Sequence, residues 1–273
     1  MSGARRRAPA FGVDRRRRLA RGNIGRGVHA DIVDTLGVQI VGGNWQPGES
    51  LPTEAELMTD LQVSRTVVRE ALRVLRAKGL VESRPMAGAH VRPRHDWRLL
   101  DPDVLQWRID SDGREALLRD LMEVRLIVEP AAVRSATQRA DDAARDRVRA
   151  VWDRMRTARD LETFIDADID FHATLLSAAG NEILEQLFAV IEAAQRLLMD
   201  LQMRAAKTLV EQPELAKTLK LHGRVVDAFL DGQGDQAEQA MHALIESAIT
   251  DAEKGLQTIG VGDQGIGDWV GRG

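Results

Sequence analysis

Leu51-Pro-Thr-Glu-Ala-Glu-Leu57, followed by Val63-Ser-Arg-Thr-Val-Val-Arg-Glu-Ala-Leu72 and Gly79-Leu80, is the stretch that decides the fold. Thr53 and Glu56 stand three residues apart, the spacing of a capping box, so a short helix starts there. It carries Leu57, Met58 and Leu61 inward. Gln62 and Val63 make a tight turn, and Ser64 caps the next helix, Arg65 to Lys78. Along that helix Val68, Ala71, Leu72 and Leu75 recur at i, i+3, i+4 and i+7, which defines one buried face. Arg65, Arg69, Arg73 and Arg76 fall on a different face. Gly79 can end the helix in the left-handed conformation. A short helix, a tight turn and a helix with an arginine face fit the major groove of DNA. Arginine suits that task because its planar fork grips a phosphate, or O6 and N7 of guanine, with two bonds.

Working outward, a helix near Gly27 to Val41 places Val28, Ile32, Leu36 and Ile40 on one side, and Trp45-Gln-Pro-Gly48 turns the chain. Downstream, Leu80 to Arg84 and Ala89 to Val91 can pair as a hairpin around Met86-Ala-Gly88, a wing. Residues 24–94 thus form a small winged helix-turn-helix domain. Charge agrees with a polyanion partner at this end. Residues 1–94 hold 17 Lys and Arg against 9 Asp and Glu, whereas residues 95–273 hold 21 against 33. Residues 1–23, with Arg5 to Arg7 and Arg15 to Arg18, read as a disordered basic arm.

Residues 95–112, with Pro102, Trp97 and Trp107, read as a linker. Residues 113–257 read almost entirely as helix, broken near Ala140-Asp141, Arg159-Asp160, Gly180-Asn181, Gln212-Pro213 and Gly232 to Gly234. The Gly-rich residues 258–273 read as a flexible tail. The fold class is therefore mainly α: a winged helix-turn-helix, then an all-α bundle of six to seven helices. The chain has no cysteine, which removes disulfides, thiolate zinc sites and cysteine nucleophiles. No apolar run approaches the roughly 18 residues that span a bilayer, and no apolar segment follows the basic N-terminus as in a secretory signal. A cytoplasmic protein with no membrane partner is expected.

The motifs at Leu51–Leu57, Val63–Leu72 and Gly79-Leu80 resemble the GntR family of bacterial winged-helix regulators over residues 28–92. The resemblance implies operator contacts from Arg65, Thr66 and Arg69, with Arg73 on the same face, and a minor-groove contact at Gly88. It departs at Ala55, where the family often has an arginine, and at Met86, where it often has glycine.

Three residue sets stand out in the helical part. Arg125 and Glu129 are four residues apart in Glu123-Val-Arg-Leu-Ile-Val-Glu-Pro130. Asp168 and His172 are one turn apart in Asp168-Ile-Asp-Phe-His172. His222 lies on a later helix. A carboxylate and an imidazole at i, i+4, completed by an imidazole from another helix, can hold a divalent metal through nitrogen and oxygen. The same residues also read as a helix-surface hydrogen bond, a polar filler and an Arg125–Glu129 salt bridge, and the pattern leaves both readings open.

Residues 113–250 resemble the FCD ligand-binding domain of the FadR-type branch. Arg125, Asp168…Phe171-His172 followed by Ala178-Ala-Gly-Asn181, and His222 carry that resemblance. It implies a metal of zinc, nickel or manganese type on Asp168, His172 and His222, and a carboxylate effector bound by the metal and Arg125. A third family histidine usually lies 22 residues after His222, where this chain has Leu244. His242 is two residues off, about 200° around the helix. The site thus offers three ligands at most, or binds no metal. Leu100 to Trp107, Met122 to Pro130 and Gly234 to Ala240 are similar to segments of a sugar-acid-responsive member of this branch. A galactonate-like aldonate is the implied effector. The function expected is a homodimeric repressor of sugar-acid catabolic genes, released from a DNA operator by a small carboxylate. The alternative is a metal-dependent helical enzyme on Asp168, His172 and His222, for which the sequence offers no separate general base or nucleophile.

Overall fold

The computed structural model describes residues 28–85, 87–111, 114–205 and 212–258. The expected basic arm and all but the first residue of the expected tail lie outside them, as does Met86. The chain divides into two compact units at Arg114.

The first unit begins with α1 (Val28–Val41), followed by α2 (Glu54–Leu61) and α3 (Arg65–Ala77). The capping box forms as its spacing demands: Glu56 N–H reaches Thr53 Oγ1, and Thr53 N–H donates to Glu56 Oε2 at 2.7 Å. Gln62 takes the left-handed conformation at φ 55° and turns the chain, and Ser64 caps α3. Val68, Ala71, Leu72 and Leu75 are buried against Leu36, Ile40 and Leu57. Gly79 ends α3 at φ 78°; a Cβ there would lie 2.3 Å from the Asp96 carbonyl oxygen, so only glycine fits.

The wing is β1 (Val81–Arg84) paired antiparallel with β2 (Gly88–Val91), with Val81 opposite Val91 and Arg84 opposite Gly88. The segment at Ser50 joins as a third edge, bridging His90 through Leu51 N–H to Ala89 O at 2.8 Å. This ties the wing to the start of the helix-turn-helix.

Residues 95–112, expected as a linker, contain a helix instead. After a 3-10 turn (Arg94–Asp96) comes α4 (Pro102–Ile109), capped by Asp101 with Pro102 in its first turn. Val104, Leu105 and Trp107 are buried, and Trp107 Nε1–H donates to Asp34 Oδ1 at 2.8 Å. The indole lies flush on α1 at Gly37, where a Cβ would come within 2.4–2.6 Å of its ring atoms. Lys78 at the end of α3 clamps the start of α4, with Nζ 2.6 Å from Asp101 and 2.8 Å from Asp103. Burial of these groups needs charge pairing, and the clamp supplies it. Residues 101–109 therefore belong to the core of the DNA-reading unit.

The second unit holds seven helices among the described residues: α5 (Arg114–Arg139), α6 (Asp142–Arg156), α7 (Leu161–Ala178), α8 (Glu182–Gln186), α9 (Phe188–Ala205), α10 (Gln212–Leu230) and α11 (Gly234–Thr258). Asp141, Asp160 and Asn181 cap α6, α7 and α8 at the breaks the sequence marks. The α8–α9 break at Leu187 carries no glycine or proline and is not legible beforehand. Helix α6 packs on α7, α10 on α11, and α9 on both α7 and α11. Along α5 the buried positions are Leu117, Leu118, Leu121, Met122, Arg125, Glu129, Pro130, Ala132, Val133, Ala136 and Thr137. Arg125 and Glu129 thus occupy the apolar stripe itself.

Trp107→Ala should lower the stability of the DNA-binding unit by about 3–5 kcal/mol, the usual cost of emptying a buried aromatic site. Urea unfolding of the full chain measures it. A change within about 0.5 kcal/mol, as for an ordinary surface substitution, would remove α4 from that core.

Candidate nucleic-acid interface and effector site

Arg65, Thr66, Arg69 and Arg73 are all exposed on α3, and Gly88 is exposed at the wing tip with φ 84° and open space around it. Their electrostatic states differ. Arg65 and Thr66 make no hydrogen bond or ion pair to the described residues. Arg69 Nε pairs with Glu54 of α2 at 3.0 Å, and Arg73 pairs with Glu70 one turn before it. These exposed pairs are weak, so a phosphate or a guanine edge can replace the carboxylate at small cost. Arg76 donates to Ser83 of β1 at 2.8 Å and so braces the wing.

In the second unit Arg125, Asp168, His172 and His222 come together from α5, α7 and α10. Arg125, Glu129, His172 and His222 are each 3% exposed or less. Arg125 Nε donates to Glu129 Oε1 at 2.6 Å, its Nη2 faces His172 Nε2 at 3.3 Å, and its Nη1 approaches Met122 Sδ at 3.9 Å. The other Glu129 oxygen takes His172 Nδ1. His222 Nδ1 donates to the Thr218 carbonyl at 2.9 Å. Asp168 Oδ1 lies 2.7 Å from His222 Nε2 and 3.8 Å from His172 Nε2, and Gln195 of α9 donates to Asp168 Oδ2 at 2.8 Å.

Those contacts set the ring tautomers. Each histidine spends Nδ1–H on an oxygen acceptor outside the cluster centre. Each therefore turns the Nε2 lone pair inward, the arrangement that outer partners impose on metal-binding imidazoles. The His222 Nε2 is buried with no donor to satisfy it. Its closeness to Asp168 does not help, because two acceptors facing each other at 2.7 Å repel unless a proton or cation lies between them. Asp168, His172 and His222 offer one ligand atom each, all within 4.8 Å of one another. The residues present fit a divalent ion.

Leu244 is buried, whereas His242 is exposed on α11 with Nδ1 3.4 Å from Glu246. The neighbouring histidine does not substitute for the one replaced by Leu244. Arg125 forms the salt bridge to Glu129 that its spacing allowed, and its fork also faces His172. Sequence reasoning gave Glu129 only as a partner of Arg125 and did not find Gln195. Glu129 bridges Arg125 and His172 rather than merely neutralising one arginine, and Gln195 holds Asp168 from α9. The signal available for Gln195 was its phase: it lies among the buried Ile191, Ala194 and Leu197.

Both carboxylates are held ionised. Burial alone would raise Glu129, but the charges of Arg125 and His172 and their hydrogen bonds outweigh it and hold it at about 2. Burial likewise opposes the Asp168 charge. His222 beside it, with His172 and Arg125 beyond, brings it down to about 2.

Comparison with known proteins agrees with this layout. Residues 29–91 match the model of bacterial regulatory proteins of the gntR family, and residues 120–247 match the FCD domain. The galactonate operon transcriptional repressor of Escherichia coli is 38% identical over 218 residues, covering 80% of this chain and 93% of that one. The chain belongs to the gntR family. The repressor NanR of Cronobacter sakazakii is another relative of this gntR-family regulator, 31% identical over 74% of this chain and 76% of its own. Among solved structures, Lar, which controls expression of the Listeria monocytogenes agr system, shares the fold with a TM-score of 0.56. It is 19% identical and covers 84% of this chain and 98% of that one. As a gntR-family member with an FCD domain the protein is a DNA-binding transcriptional regulator, and no described helix is long and apolar enough to cross a membrane.

The depressed carboxylates make a pH prediction. Unfolded Asp and Glu titrate near 4, so the stability that Asp168 and Glu129 contribute is complete above that pH and is lost as pH falls toward 2. Circular dichroism of acid unfolding should therefore show a shallower fall between pH 4 and 2 in Asp168→Asn than in the parent. Equal slopes would contradict the buried ionised carboxylate.

Proposed function

We propose that this regulator is a homodimeric cytoplasmic repressor of sugar-acid catabolic genes, released from its operator when a galactonate-like acid binds the buried cluster of the FCD domain. The observation that carries this reading is that cluster: buried Arg125, His172 and His222 converge with half-buried Asp168 on one point between three helices. Its two carboxylates face one guanidinium and two imidazoles, so the second negative charge is offset either by a proton held on an imidazole or by a bound cation. A divalent ion of zinc, nickel or manganese type would be held by Asp168 Oδ1 and the Nε2 atoms of His172 and His222. Bound, it would supply Lewis-acid positions for carboxylate and hydroxyl oxygens. The same coordination takes from Arg125 the His172 lone pair that its Nη2 now faces. That frees the guanidinium edge for the effector carboxylate.

The relative named for the galactonate operon supports the effector class. A homodimer follows from the reach of one recognition helix, which reads only a few base pairs; two-fold symmetry doubles the contacts. The enzyme alternative lacks support, because every titratable group of the cluster is already a ligand or a partner of one.

The test is fluorescence anisotropy of the full chain on DNA from upstream of its own gene, with and without D-galactonate. Arg65→Ala and Arg69→Ala should each weaken specific binding by about 1–3 kcal/mol if they contact bases. Normal binding by either variant would move the recognition surface elsewhere. Arg125→Ala should bind the same DNA as the parent does but no longer be released by galactonate. Release that survives this substitution would contradict the site. Sizing by light scattering should give twice the 30.2 kDa chain mass.

A further inference from the structure

Gln195 carries a buried polar atom of the effector cluster that no described residue satisfies. It sits on α9, 4% exposed, and its Nε2 donates to Asp168 Oδ2 at 2.8 Å. Its Oε1 is buried and accepts no hydrogen bond from the described residues. Rotating the amide cannot relieve this, because the oxygen would then face the Asp168 carboxylate, acceptor against acceptor. Asp168 therefore locks the carboxamide with its oxygen turned away and unpaired. A buried carbonyl oxygen in that state needs a donor from outside the chain. The His222 Nε2 lone pair, 2.7 Å from the same Asp168, is in the same condition. The α9 side of the cluster thus presents the unpaired Gln195 oxygen, and the α5 side presents the Arg125 donor fork.

We propose that Gln195 is the specificity residue of the effector site, accepting a hydrogen bond from a hydroxyl of a polyhydroxylated acid whose carboxylate faces Arg125. This rests on the sugar-acid reading above and deepens it. The donor fork takes the anionic end of the ligand, and a hydroxyl hydrogen meets the amide oxygen beside Asp168. A simple carboxylate of the same length satisfies the first requirement and leaves Gln195 unpaired. Sites built to pair a ligand hydroxyl discriminate against analogues that lack it far more strongly than apolar pockets discriminate by size.

Calorimetric titration of the full chain with D-galactonate and its 2-, 3- and 4-deoxy analogues tests the assignment, in the parent and in Gln195→Met. In the parent, one deoxy analogue should bind at least about tenfold more weakly than galactonate. Gln195→Met should lose a similar factor for galactonate and nothing further for that deoxy analogue, the signature of direct coupling in a ligand–protein cycle. Equal weakening of both ligands would make Gln195 a mere support for Asp168 and overturn the proposal. Should Gln195→Met not fold, the parent series still decides: equal affinity for all four ligands overturns it. A parent that binds none of them overturns the sugar-acid reading as well, whereas binding without hydroxyl dependence overturns only the role of Gln195.

Discussion

Charge placed inside a helical bundle must be balanced there, and in this protein that requirement organises the second unit. Arg125 and Glu129 interrupt the apolar stripe of α5 at positions where leucine would pack without penalty. They persist as a bridged set, with His172 joined to both, because removing any one member strands the others away from water. Asp168 extends the chain of contacts to His222 and Gln195, so three further helix faces are registered by one polar network. An interior that only needed stability would use hydrophobic side chains; this network leaves Gln195 Oε1 and His222 Nε2 buried without a hydrogen bond among the described residues.

The first unit obeys a different constraint, that of presenting a rigid basic face. Caps and left-handed turns at Thr53, Gln62, Ser64 and Gly79 fix where α2 and α3 begin and end. The arginines on α3 therefore need no packing of their own and remain exposed. Glu54 and Glu70 hold two of them in weak surface pairs, which keeps the side chains ordered while leaving them exchangeable for phosphate. The Lys78–Asp101–Asp103 clamp extends this rigidity to α4 within the same unit.

Most of this was legible from local rules. Capping boxes, left-handed glycines and 3.6-residue periodicity act over a few residues, so the winged helix-turn-helix and most helix breaks could be read directly. The Asp168–His172 spacing showed a shared face, but only burial turned a surface-like pair into a site. Three features depended on tertiary contacts and were therefore hidden. The α4 helix is too short to display a period, and its docking is written in Gly37, a position far from it in sequence. Glu129 looked like the solvent partner of Arg125 until α7 covered both. Gln195 gained its role from Asp168, 27 residues away.

A divalent cation on Asp168, His172 and His222 and a carboxylate on Arg125 are expected to complete the cluster together. Calorimetric titration of D-galactonate into the full chain, first stripped by chelator and then loaded with zinc, tests this most directly. The account predicts one site per chain, at least about tenfold tighter in the loaded protein, because each ligand improves the charge balance for the other. Equal affinity in the two states would contradict it.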